Sequence, residues 1–117
     1  MMALPDEGIS EIYELLYRLG LTGNYTGFFY LSYAIWLAER EPDRLLLVTK
    51  WLYPDIAKRY STGRKAVERG IRYSILLIWT ANAPLLQSII GLPLCEKPRA
   101  ASFIAMLSRY IAAQRTT

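Results

Sequence analysis

Apolar residues recur at every third or fourth position along most of the chain, which is the repeat of an amphipathic α-helix. The first such segment covers residues 11–19 and ends before Gly20, a residue suited to a helix C-cap. No segment shows the strict alternation of a half-buried strand, so the sequence predicts an all-α fold. Further helical segments are predicted over residues 25–40, 45–53, 84–91 and 100–113.

Proline and glycine mark two more helices in the middle of the chain. Pro54 suits the first turn of a helix, where its missing N–H costs nothing, and a short helix is predicted over residues 54–60. Turn and N-cap residues follow at 61–63, and a long helix is predicted over about 62–79. Two helices joined by so short a turn form a helix-turn-helix, here at about 54–79. Residues 1–117 are thus predicted to form one domain, a compact bundle of about six helices.

The long helix has two unlike halves. Its first half carries five charged side chains and its second half, from Tyr73 to Trp79, carries none. An apolar stripe with a spacing of three or four residues is predicted to face the core, and we expect the charged half to project from it. The stripe consists of Val67, Ile71, Ile75 and Ile78, and the tryptophans Trp36, Trp51 and Trp79 are also expected in the core.

Two segments without charged side chains, residues 19–38 and 73–95, have about the ~20-residue length that spans a bilayer. Both are interrupted by asparagine and glycine, and the second also by proline, which suits a small helical core better than a membrane hairpin. No basic stretch followed by an apolar run opens the chain, so no secretory signal is predicted.

The charge distribution is uneven, although the net charge is only +4. Residues 1–43 hold seven acidic and two basic side chains, whereas residues 58–72 hold six basic side chains and one acidic one. So dense a basic cluster indicates a polyanionic partner, and a solvated helix face is the simpler alternative.

The residue inventory argues against catalysis. The chain has no histidine, so its one cysteine, Cys95, has no imidazole to activate it, and no glycine-rich phosphate loop follows a strand. We therefore expect no enzyme activity, no metal and no cofactor. A single cysteine cannot form an internal disulfide, which fits a reducing compartment such as the cytoplasm.

The charged half of the long helix carries side chains suited to DNA bases. Arginine bonds guanine O6 and N7 bidentately, and glutamate accepts from cytosine N4. A glutamate amid arginines would repel a phosphate backbone, so Glu68 favours base reading over nonspecific binding. The alternative is an intrahelical ion pair of Glu68 with Arg64 or Arg72.

The residues around this helix also resemble a known family. The stretches KWLYPDIAKRY at 50–60 and VERGIR at 67–72 are similar to the DNA-binding effector domain of the sporulation stage-zero A response regulator. The similarity continues to Trp79 and returns in KP at 97–98 and SFIAM at 102–106.

The resemblance implies an all-helical transcription regulator of sporulation or stationary-phase genes. Its long helix would enter the major groove of a TGTCGAA-like box in double-stranded DNA. Family members bind such boxes as paired domains, which implies a homodimer on tandem sites, and they contact the RNA polymerase sigma subunit. The implied base-reading residues are Glu68, Arg69 and Lys65, and the implied phosphate contacts are Lys58, Arg59, Arg64, Arg72 and Tyr73.

The chain departs from the family pattern at several positions. Ala66 stands where a further arginine is expected, Tyr73 stands where histidine is usual, and Gly70 replaces an alanine. Glycine inside a helix costs about 1 kcal/mol relative to alanine, so we expect a less rigid recognition helix. Residues 80–92 match the family poorly, and none of the 117 residues resembles a receiver domain, which is expected either of an effector domain taken from a longer regulator or of a stand-alone relative.

A different class of function stays open at this point. The domain would be a protein-interaction module that pairs with a full-length regulator through the helices at 25–40 and 100–113 and modulates it.

Overall fold

The computed structural model describes residues 8–116, and every regular element in that range is helical. This confirms the predicted all-α fold of about six helices. In chain order the elements are α1 (Ile9–Arg18), α2 (Thr26–Arg40), a 3-10 helix (Pro42–Leu46), the single turn α3 (Val48–Trp51), α4 (Tyr53–Arg59), α5 (Arg64–Ile90) and α6 (Ala100–Arg115).

Helix α2 is the centre of the bundle, and its most extensive contacts are with α5 and α6. Because it has neighbours on several sides, its buried residues extend around much of its circumference rather than along one stripe. The core joins it to α1, α4, α5 and α6, and its largest fully buried side chains include Phe28, Leu31, Ile35, Leu52, Ile56, Ile71 and Phe103.

Helices α2 and α5 approach each other at two glycines. A Cβ added to Gly27 would overlap the carbonyl oxygen of Gly70 and the Oγ of Ser74. A Cβ added to Gly70 would lie 2.9 Å from the ring of Tyr30 and 3.3 Å from the Cα of Gly27. Gly70 therefore lies at a close helix crossing, where it has a packing role.

The long helix predicted to end near residue 79 and the short helix predicted over 84–91 form one element, α5, with an interruption between them. Asn82 has non-helical angles (φ −141°, ψ 36°), and Pro84 follows, whose ring nitrogen has no N–H to donate. The side-chain amide of Asn82 donates to the carbonyl oxygen of Leu19 at 2.8 Å, which satisfies an acceptor at the end of α1. The chain then turns at Gly20, whose φ of 96° is left-handed, as expected for its predicted C-cap role.

The single helix predicted over residues 45–53 is wrong. The 3-10 helix ends at Leu46, and Leu47 has non-helical angles (φ −154°, ψ 84°) before α3 begins. Arg44 accounts for the break, because its guanidinium donates both to the carbonyl oxygen of Trp51 at 2.6 Å and to Asp55 at 2.5 Å. These bonds draw the segment back across the start of α4.

The tryptophan positions also differ in part from the prediction. Trp36 and Trp79 are half-buried against the core, as expected in outline, but the side chain of Trp51 is 44% exposed. It lies on the surface because the break at Leu47 turns α3 outward, next to Arg44 and Asp55.

Helix α5 is long and apolar enough, by length and composition alone, to cross a membrane. In the bundle its buried side is in contact with α2, α4 and α6. A core helix of this kind satisfies the same criteria of length and composition.

Candidate nucleic-acid interface

The connection between α4 and α5 is consistent with a helix-turn-helix. Helix α4 ends at Arg59 and α5 begins at Arg64, which leaves a connection of four residues. Ser61 adopts a left-handed conformation (φ 54°), and the amide of Thr62 donates to the carbonyl oxygen of Ala57 at 2.9 Å. This reversal brings the start of α5 against α4.

The start of α5 differs in detail from the prediction. The helix begins two residues later than the predicted residue 62, and its N-cap is Gly63 in an extended conformation. No side chain caps it, so the hydroxyls expected to do so at 61–62 do not bond to the first turn. The first N–H groups of α5 are left without a side-chain acceptor.

The predicted apolar stripe of α5 is confirmed as part of the core. All four of its members are buried, and α4 contributes Ile56 and Ala57 to the same core. The stripe consists of Val67, Ile71, Ile75 and Ile78. Because these residues hold the rear of the helix, Lys65, Arg69 and Arg72 project to the front.

Three basic side chains share the exposed front of α5. Lys65 and Arg69 lie one turn apart and are both exposed, and Arg72 follows within the next turn. Glu68 is half-buried on one flank of this face, whereas the exposed Tyr73 lies on the other flank. We call Lys65, Arg69 and Arg72 the basic face.

Glu68 is ion-paired with Arg72, one turn further along α5. The Nη2 atom of Arg72 lies 2.5 Å from Oε2 of Glu68. The side chains are 63% exposed for Arg72 and 42% exposed for Glu68, so water screens the pair and it contributes only about 0.2–0.5 kcal/mol. The intrahelical pair is thus present in the free domain, but it is too weak to prevent either residue from taking another partner.

Tyr53 lies beside this pair, and the sequence did not indicate it. Its side chain is 3% exposed and lines the same groove as Glu68 and Arg72. Burial raises the pKa of Tyr53, the charge of Glu68 raises it further, and Arg72 lowers it. Its hydroxyl is therefore neutral at physiological pH. Its position in the YPDIAK stretch was the only signal available from the sequence.

The remaining candidate residues are distributed around the turn. Lys58 is exposed on α4, and a guanidinium N–H of Arg64 lies 3.4 Å from the carbonyl oxygen of Thr49. The guanidinium of Arg59 lies over the ring of Tyr33 on α2, 5.0 Å from its centroid. Arg59 is thus directed towards α2, whereas the basic face belongs to the front of α5.

Tyr73 meets a second aromatic side chain at the edge of the interface. Its ring is half-exposed and lies edge-on to that of Tyr25, with centroids 6.1 Å apart. Because Tyr25 is the N-cap residue of α2, this contact places the start of α2 beside the flank of α5 opposite Glu68.

Residues 8–116 offer no evident metal site. That range contains no group of three or more acidic or cysteine side chains arranged to hold an ion. The charged side chains of α5 are the cations Arg64, Lys65, Arg69 and Arg72 and the single carboxylate of Glu68.

The comparison with known families places the chain. The family model described as "Sporulation initiation factor Spo0A C terminal" matches residues 12–111, from within α1 to near the end of α6. The match thus includes the core residues from Ile12 to Ile111, the turn at 60–63 and the basic face. The chain belongs to the family of C-terminal effector domains of Spo0A, which are DNA-binding domains of a sporulation regulator.

Proposed function

We propose that this domain recognises a specific sequence in double-stranded DNA and regulates transcription of sporulation or stationary-phase genes. The N-terminal half of α5 would lie in the major groove of a TGTCGAA-like box. The observation that carries the proposal is the basic face, Lys65, Arg69 and Arg72, on the second helix of the turn, with a buried stripe behind it.

Each base-reading residue has a distinct role in this proposal. Arg69 lies at the front of the face, where its guanidinium would bond O6 and N7 of a guanine. Lys65, one turn earlier, would reach the acceptors of a neighbouring guanine. Glu68 would accept from the N4 amino group of a cytosine after exchanging its ion pair with Arg72.

The phosphate contacts would come from both sides of the turn. Lys58, Arg64 and Arg72 are exposed and offer cationic groups to the backbone. Tyr73 would donate its hydroxyl from the other flank of α5. Arg59 would contact a phosphate from its position over Tyr33, whose ring restricts where the guanidinium can lie.

Further partners follow from the family and belong to the same proposal. The domain would act in the cytoplasm at the chromosome, as a homodimer on tandem boxes, and would contact the RNA polymerase sigma subunit. It would have no enzyme activity, since the family is one of DNA-binding domains.

The alternative of a protein-interaction module paired through residues 25–40 and 100–113 has less support. The apolar residues of both segments are used inside the domain: Phe28, Leu31 and Ile35 of α2 are buried, as are Phe103, Ile104 and Leu107 of α6. These side chains are therefore not available to a partner, and we do not propose this function.

Fluorescence anisotropy tests the proposal. We would measure binding to a labelled duplex with one TGTCGAA box and to a scrambled duplex, at about 150 mM salt. The unmodified domain should prefer the box by tenfold or more. Arg69→Ala should weaken binding to the box by about 1–3 kcal/mol and remove most of the preference, because a bidentate contact to one base is lost.

The matched control is Arg109→Ala, which removes an exposed arginine from α6 instead. It should leave the preference unchanged. Equal losses on both duplexes for Arg69→Ala would contradict base reading, and the absence of binding to either duplex would contradict the whole proposal.

A further inference from the structure

An open groove runs along one flank of the recognition helix. It has a volume of about 490 Å³ and separates α5 from the segment that leads into α6. On the α5 side it is lined by Glu68, Arg72 and Ile75. The segment that leads into α6 contributes Lys97, Pro98, Arg99, Ala100 and Ala101, and Val48 and Tyr53 also line the groove.

The groove carries an excess of positive charge. Arg72, Lys97 and Arg99 line it, against the single carboxylate of Glu68, which is already paired with Arg72. Neither Lys97 nor Arg99 forms an ion pair with another residue in the range 8–116. Three cations with one counter-charge repel each other unless an anion joins them.

The backbone of the far wall is anchored between its two cations. Pro98 is buried between Lys97 and Arg99, which fixes the backbone that carries both side chains. Arg99 is also the N-cap residue of α6, and no acidic side chain occupies the first turn of that helix. A cation is disfavoured at the positive end of a helix, so Arg99 is poorly explained by the stability of α6.

The position of the groove relative to the basic face indicates which part of the DNA the groove would contact. A helix in the major groove has one phosphate backbone on each side. The groove lies on the flank that carries Glu68, whereas Tyr73 lies on the other flank. With Lys65 and Arg69 directed at the bases, the groove cations Arg72, Lys97 and Arg99 would lie next to the backbone of one strand.

We propose that Lys97 and Arg99 bind a backbone phosphate of the duplex that α5 recognises, next to the phosphate that Arg72 contacts. The inference rests on the proposed function and adds a second wall to the same site. It also supplies a step that base reading requires. A phosphate oxygen that accepts from Arg72 replaces the carboxylate of Glu68 as its partner, and Glu68 is then free to accept from a base.

The salt dependence of binding measures this contact. Affinity for DNA falls as salt rises, and each neutralised phosphate steepens the plot of log affinity against log salt by about 0.9. This corresponds to about fivefold in affinity at about 0.15 M salt. A phosphate contact carries no sequence information, so its loss weakens the box and the scrambled duplex alike.

The experiment compares Lys97→Gln, Arg99→Gln and the double variant with the unmodified domain, from about 50 to 200 mM salt. The double variant should lower the slope by about one and weaken both duplexes by about fivefold, and each single variant should give part of that loss. Arg109→Gln, which removes an exposed arginine from the same helix α6, should leave the slope unchanged. The melting temperature of Arg99→Gln should equal or exceed that of the unmodified domain, which separates binding from folding.

The outcomes separate this inference from the function on which it rests. If the unmodified domain prefers the box and the double variant keeps its full slope, the proposed function stands and the second wall is rejected. A slope change as large for Arg109→Gln as for Arg99→Gln also rejects it, because net charge alone would then account for the effect. If the unmodified domain binds neither duplex, both proposals fail.

Discussion

Glu68 has one partner in the free domain and would need another on DNA. In the free domain its carboxylate accepts from Arg72 at 2.5 Å, at a half-exposed site beside the buried ring of Tyr53. The pair stabilises α5 only slightly, but it also keeps a negative charge next to the cation that would meet a phosphate. Glu68 is therefore expected to lower affinity for every DNA sequence. Only on the recognised box would its contact with a cytosine offset that loss.

Replacing Glu68 with glutamine tests this balance. Glu68→Gln releases Arg72 and removes a charge that repels phosphate, so affinity for a scrambled duplex should rise about fivefold at about 0.15 M salt. The preference for the box should fall, because the acceptor for cytosine N4 is weakened. Anisotropy titrations on the two duplexes measure both changes.

The matched control is Glu14→Gln, which removes an exposed carboxylate from α1. It should leave the preference unchanged and raise both affinities only slightly. If Glu68→Gln behaves in the same way, Glu68 acts through net charge alone and does not recognise a base.

At the scale of helices, the crossing of α2 and α5 determines how the recognition helix is held. Gly27 and Gly70 allow the backbones to meet without intervening side chains. A helix in DNA must be positioned to within about 0.5 Å for bidentate bonds to form. The glycine contact therefore connects the packing of the core to the direction of the basic face.

A methyl group at this crossing should separate the helices. Gly27→Ala places a Cβ against the carbonyl oxygen of Gly70, which belongs to the backbone and cannot rotate away. The free energy of unfolding should fall by about 1–3 kcal/mol or more, as measured by urea denaturation. Binding to the box should weaken as well in the protein that remains folded.

Gly23→Ala is the control for this substitution, because a Cβ there would lie 3.6 Å from the ring of Phe29, an ordinary contact distance. It should change the free energy of unfolding by less than about 0.5 kcal/mol. A Gly27→Ala variant as stable as Gly23→Ala would show that the helices move apart at little cost.

The helices themselves were predictable because their signals are local. The repeat of apolar residues gave the stripe of α5, and the same spacing placed Lys65 and Arg69 on one face. The break within residues 45–53 was not predictable, because it depends on bonds from Arg44 to Trp51 and Asp55. Apolar spacing contains no information about such contacts between segments.

The parts of the site that the sequence did not predict also depend on contacts between distant segments. Tyr53 lies beside Glu68 only because α4 packs on α5. Lys97 and Arg99 line the same groove only because α6 also packs on α5. The crossing at Gly27 and Gly70 joins residues from different helices, so glycine at position 70 appeared from the sequence as a weakness of one helix. The structure shows that it is part of a contact between two.

At the scale of the whole molecule, the acidic first third of the chain has internal cationic partners. Arg115, in the last turn of α6, donates to both carboxylate oxygens of Glu39 at 2.6 and 2.8 Å. It also lies 3.4 Å from Glu11 and donates to the carbonyl oxygen of Gly8 at 3.0 Å. One guanidinium thus joins α6 to the end of α2 and the start of α1, and hydrogen bonding to Glu39 raises the pKa of Arg115.

Removing this guanidinium should cost stability without changing DNA preference. Arg115→Met keeps the aliphatic stem but leaves Glu39, whose side chain is only 11% exposed, without these two bonds. The free energy of unfolding should fall by about 1–3 kcal/mol, because a mostly buried carboxylate loses charge-assisted bonds. Arg109→Met, on the same helix, should change it by less than about 0.5 kcal/mol. Urea denaturation measures both, and a coupling near zero in a double-mutant cycle with Glu39→Gln would contradict this account.

Preference for the box should persist in the folded variant, because the side chains of the basic face belong to α5 and make no contact with Arg115.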